Sequence, residues 1–129
     1  MHSAYFEIRF RPDCAISEWP SSFAIVTAHA TTGQHWTDSQ NHAADKQLRR
    51  ELEALDIWLR RLIGYSPSTG HAEPGWAAEL SFDVACDIGL RFQQDAVYFV
   101  EADQLFVSHC DDCRRLIHVG EFRSRVDLI

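Results

Sequence analysis

Residues Gly64–Phe82, GYSPSTGHAEPGWAAELSF, divide the chain into two halves and gather its loop formers and much of its chemistry. Two prolines, several glycines and a Ser/Thr cluster stop regular structure here. The expectation is therefore a long ordered loop from Ser66 to Trp76, anchored by the indole of Trp76, then a short strand WAAEL. A loop of that length in a compact domain is usually functional or disordered. His71, Glu73, Trp76 and Glu79 within it make it the expected site.

Outward from this stretch the periodicity is clear. On the N-terminal side Phe23–His29 (FAIVTAH) is almost continuously apolar and rich in strand formers, suiting a central strand. Ala44, Leu48, Leu52 and Leu55 then recur at spacings of four and three, the stripe of an amphipathic helix over Asp38–Leu55. Thr37 and Gln40 have capping-box spacing at its start. Asn41 falls on the stripe side of its first turn, placed to cap or to face a site. Asp56 interrupts the pattern, and Ile57–Ile63 suits a strand.

On the C-terminal side Ser81 or Asp83 caps a second helix, Asp83–Gln93, with Val84, Ala85, Ile88 and Phe92 on its buried face. Ala96–Val100 and Gln104–His109 flank a short hairpin connection, and RRLIHVG adds an edge strand. At the N-terminus Ala4–Phe10 alternates Tyr5, Glu7, Arg9 against Phe6, Ile8, Phe10, the period of a half-buried strand. ATTGQHWT reads as a loop, and EFRSRVDLI has too little pattern to place. The order predicts an α+β fold: a ferredoxin-like βαββαβ core, two helices on one face of a mostly antiparallel sheet, with extra N- and C-terminal strands. Ile25, Leu48, Leu52, Leu55, Ile88, Phe92, Val97 and Phe99 are expected to share one core.

With 129 residues, 46% of them hydrophobic and 24% charged, residues 1–129 are expected to form a single domain. No apolar run is long enough to span a bilayer, so no membrane partner is expected. The start MHSAYFEIRFRPD lacks a secretory pattern, which predicts a cytoplasmic protein with its four cysteines reduced. A net charge of −7 argues against nucleic acid, although Arg49–Arg50, Arg60–Arg61 and Arg114–Arg115 form three basic pairs.

A family resemblance rests on FAIVTA, Asn41 opening a helix, and the Gly-containing loop with Trp76, Glu79, Ser81 and Phe82. It is completed by Phe92-Gln93-Gln94-Asp95-Ala96 running into a strand. Together these resemble the bacterial and phage family catalogued as domain of unknown function 3293, over roughly Phe23 to Val107. The family usually follows its first strand with Asn-Pro, where this chain has Ala30-Thr31. The resemblance implies the element order and brings no activity with it.

His71-Ala72-Glu73 with Cys110-Asp111-Asp112-Cys113 has the outline of a zinc deaminase. That chemistry needs both motifs at helix starts, and Pro74 turns Glu73 away from helical dihedrals, so the reading is set aside. His71, His109, Cys110 and Cys113 form an alternative zinc ligand set; the ordinary reading is free thiols in a turn and no cofactor. The sequence thus points to a binding or regulatory protein that takes a small molecule or protein partner at a polar-aromatic site. Asn41, His71, Glu73, Trp76, Glu79 and Gln94 are its candidate residues. The alternative is a metal-assisted or carboxylate-dependent hydrolase. No catalytic residue is assigned.

Overall fold

The computed structural model describes residues 1, 3–29 and 36–128. The loop expected at ATTGQHWT lies mostly outside the described residues. The strands are β1 (Arg9–Pro12), β2 (Ser22–Thr27), β3 (Leu59–Tyr65), β4 (Ala72–Ala78), β5 (Ala96–Glu101), β6 (Gln104–His109) and β7 (Ile117–Glu121). The helices are α1 (Asp38–Glu53) and α2 (Phe82–Arg91). The seven strands form one sheet in the order β1-β3-β4-β2-β5-β6-β7, every neighbouring pair antiparallel. The protein is therefore α+β.

Local chemistry accounts for the element ends. Thr37 accepts from the Gln40 amide and Gln40 reaches back to the Thr37 amide, so the expected capping box forms. Ser81 caps α2 through the Val84 amide. α2 ends where Gln93 takes φ 58°, with the Gln93 amide on the Leu90 carbonyl and the Gln94 amide on the Gly89 carbonyl. This is a Schellman ending built without glycine. Between β5 and β6, Ala102 and Asp103 both have positive φ, as a two-residue hairpin turn demands.

Alternation along the strands separates two cores. Ala24, Val26, Trp76, Ala78, Val97 and Phe99 pack against Leu48 and Leu52 of α1 and Ala85, Cys86 and Ile88 of α2, so both helices cover one face. The other face holds Phe10, Phe23, Ile25, Leu62, Ala77, Val100 and Leu105. Among the described residues no α-helix covers that face. The sheet instead curls around it, and Phe122 and Trp19 fill the space inside. The curl brings the β1 edge to the end of the chain, where Phe10 bridges Val126 and the Asp127 amide donates to the Phe10 carbonyl.

Four expectations need correction. Ile25 belongs to the inner core, and Leu55 lies past the end of α1 and is 49% exposed, so the expected single core is two. Val84 is exposed on α2, and Cys86 takes the buried position. Ala4–Phe10 is a 3-10 turn (Ser3–Phe6) followed by a strand that starts later and ends at Pro12; β1 is an edge strand, where proline is tolerated. Finally, the second half of the expected loop Ser66–Trp76 is strand, from Ala72 onward. A tight hairpin, closed by the Ser66 amide to the His71 carbonyl and the Gly70 amide to the Ser66 carbonyl, leads directly into β4. Pro74 fits there because β2 pairs with β4 only from Gly75 onward, leaving residues 72–74 with β3 alone.

Candidate functional site

Where β3 and β4 run past the end of β2, the curled sheet opens into a cavity of about 540 Å³. Its floor comes from the helix-free face: Phe10 of β1, Ile25 of β2 and Tyr98 of β5, with Ile8 and Tyr5 closing one side. The Tyr98 hydroxyl donates to the Tyr5 carbonyl at 2.9 Å, and the two rings lie 6.4 Å apart at 55°. The 3-10 turn that replaced a strand at the N-terminus is thus what lays Tyr5 over Tyr98. Burial raises both phenols above their ordinary range, and Asp95 and then Glu73 push the Tyr5 phenol further up.

The rim is polar. His71 and Glu73 enter from the hairpin, Thr27 from β2, Asp95 from the α2–β5 junction and His109 from the end of β6. His71 Nε2 stands 3.3 Å from Glu73 Oε1, with the imidazole mostly in solvent and the carboxylate largely covered. A His–carboxylate contact of this kind is capable of proton transfer. Beside it, burial lowers the His29 imidazole, against the opposing pull of Glu73. On the outer side of the hairpin, Glu7 accepts from the hydroxyls of Ser66 and Ser68 and fixes the turn.

Gln94 lines the cavity, but its amide is fully engaged. Nε2 donates to the His29 and Phe92 carbonyls at 2.7 and 3.1 Å, and Oε1 accepts from Thr27 Oγ1 at 2.8 Å. It pins the end of α2 to the end of β2. The neighbouring Asp95 side chain makes no hydrogen bond or ion pair among the described residues, while its carbonyl accepts from the Cys110 amide.

The remaining sequence candidates lie elsewhere. Strand alternation sends Trp76 to the helix side, opposite Glu73. There its indole N–H donates to Asp45 Oδ1 at 3.1 Å, and the Arg61 guanidinium stacks 4.4 Å above the ring while binding Asp45 with two hydrogen bonds. Asn41 sits in the first turn of α1 and is not among the cavity residues. Glu79 follows the far end of β4, roughly 20 Å from Glu73 at 3.3 Å per residue, and lines a shallow recess with Trp58, Arg60 and the segment 15–20. His71, Glu73 and Gln94 therefore come together, and Asn41, Trp76 and Glu79 do not join them.

The alternative zinc set is likewise divided. His71 and His109 face the cavity, whereas Cys110 packs in the helix-side core and Cys113 is exposed in a turn organised by Asp111. Among the described residues no three His, Cys, Asp or Glu side chains gather as a metal cluster. His71-Ala72-Glu73 opens a strand and the CxxC follows one, so neither motif sits at a helix start.

Sequence reasoning missed Tyr5, Ile8, Phe10 and Tyr98. One signal was present: apolar residues on both faces of strands whose two helices can cover only one. Such a pattern requires a curled sheet or a further layer.

A mixed α+β protein with a cavity inside a curled sheet is the class that fold and site define. The chain belongs to the family described as Protein of unknown function (DUF3293), which matches residues 26–97, more than half its length. The match runs from the end of β2 to the start of β5 and so takes in His71, Glu73, Gln94 and Asp95. No curated protein and no solved structure matches the chain. Among the described residues no helix is long and apolar enough to cross a membrane.

Proposed function

We propose that this is a small-molecule binding protein whose site is the cavity inside the curled sheet. The observation that carries the reading is the cavity itself: its volume is in the range of ligand sites, its floor is apolar, and its polar groups converge from separate elements on one rim. The scaffold is read as a ferredoxin-like core, β2-α1-β3-β4-α2-β5. Support comes from the order β3-β4-β2-β5, antiparallel throughout, with both helices on one face. β1, β6 and β7 extend that core and supply its curl. A cytoplasmic setting suits the four unpaired cysteines.

The test is native mass spectrometry of protein isolated from cells without denaturation, alongside Ala96→Phe, which sets a ring in the cavity. The expected result is a small-molecule adduct on the wild type that the variant lacks. Absence of any adduct, with a variant that melts several degrees lower, would show space already used by packing and would overturn the proposal. A carboxylate-dependent hydrolase, the second reading, draws on the His71–Glu73 contact alone. Ester turnover by the wild type that Glu73→Gln abolishes would move the assignment to it.

A further inference from the structure

The cavity presents one sign of charge. Of the described residues that line it, Glu73 and Asp95 are carboxylates and none is a lysine or arginine. The nearby guanidinium groups are engaged outside the lining, although Arg11 sits over the Tyr65 ring and Arg125 pulls the Tyr98 phenol down against its burial. Arg61 is bound to Asp45 on the opposite face, Arg125 to the backbone carbonyls of Phe6 and Ile8, and Arg9 to Asp127. The imidazoles of His71 and His109 also face the opening, and an imidazole can accept a hydrogen bond as well as donate one. Tyr5 and Tyr98 line the same cavity, and the negative quadrupole of an aromatic face attracts a cation and repels an anion. That Asp95 and Glu73 both raise the Tyr5 phenol shows that their fields meet at this ring.

Resting on the cavity reading, we propose that the ligand is a lipophilic amine: a flat apolar body held on Tyr5, Ile8 and Tyr98, with one protonated nitrogen at the rim between Glu73 and Asp95. The amine supplies the countercharge that the lining lacks. Its N–H groups donate to Glu73, in place of the solvent-exposed His71, and to Asp95, whose side chain has no hydrogen bond or ion pair among the described residues. A carboxylate on the same body would meet two like charges over an apolar floor, so the site selects by repulsion as well as by attraction.

Three compounds with one indole body separate charge from shape: tryptamine, tryptophol and indole-3-acetate, titrated calorimetrically at pH 8 in low salt. Tryptamine is expected to bind about tenfold more tightly than tryptophol, the scale of one charged hydrogen bond, and indole-3-acetate most weakly. In the Glu73→Gln, Asp95→Asn double variant the tryptamine-to-tryptophol ratio falls close to one. Equal binding of all three, or preference for the acetate, overturns the amine assignment. If tryptophol binding is then lost in Ala96→Phe, the cavity reading stands without it. Failure of all three to bind at millimolar concentration also overturns the assignment, and the adduct experiment judges the cavity separately.

Discussion

The four cysteines divide by environment. Cys14 and Cys113 are exposed, whereas Cys86 is buried in α2 and Cys110 packs its sulfur against that helix. Gly89 is what allows this approach, because a Cβ there would run into Cys110 Sγ. Burial pushes the Cys110 thiol up to about 12 and raises Cys86 as well. Since the thiolate is the reactive form, only two thiols should react quickly with a disulfide reagent at pH 8, and the other two should appear on unfolding. Mass mapping that found Cys110 among the fast pair would show that α2 does not hold it. The sequence could not separate these residues, because Cys110 and Cys113 share one turn motif and differ in what folds over them. Trp76 carries the same lesson. Its place on the helix side follows from the strand period once β4 is known to begin at Ala72, and Pro74 hid that start.

The helices were the most legible elements, since their capping and apolar stripe are local. Leu48 and Leu52 are fully buried, as their spacing requires, but the stripe ends one residue pair earlier than the pattern suggested. The Ala54 amide closes on Arg50, and Asp56 with φ 53° turns the chain away, leaving Leu55 outside. Leu52→Ala should therefore cost about 2–5 kcal/mol in urea unfolding, and Leu55→Ala about 0.5 kcal/mol or less. Similar losses at both positions would mean that the helix continues through Leu55. The β3–β4 hairpin was legible only in part. Gly70, with φ 74°, marks its turn, but a proline inside a strand between two neighbours runs against ordinary strand chemistry. Only the stagger of β2 against β4 removes that conflict, and stagger is not written in one segment.

At the scale of the molecule, closure of the sheet decides whether there is a cavity, and closure rests on the stretch with the least sequence pattern, EFRSRVDLI. Beyond Phe122, Arg125 donates to the Phe6 and Ile8 carbonyls, and Asp127 accepts from Arg9 at 2.9 Å and from the Tyr65 hydroxyl at 2.5 Å. These groups lie more than a hundred residues from β1 in sequence, so no local period announces them. They hold Tyr5 and Ile8, the cavity's side wall, against the rest of the sheet. Tyr65 first, and then Arg9, keep the Asp127 carboxyl below its ordinary range. A carboxyl lowered by folding contributes stability that is complete above its unfolded pKa of about 4 and disappears as the pH falls through its folded value. Acidification below about pH 4 should therefore lower the melting temperature of the wild type more steeply than that of Asp127→Asn. Above pH 5 the variant should melt lower by a nearly constant margin. Parallel curves across the acid range would show that the Asp127 charge does not hold the end of the chain to β1, and the cavity wall would then need another support.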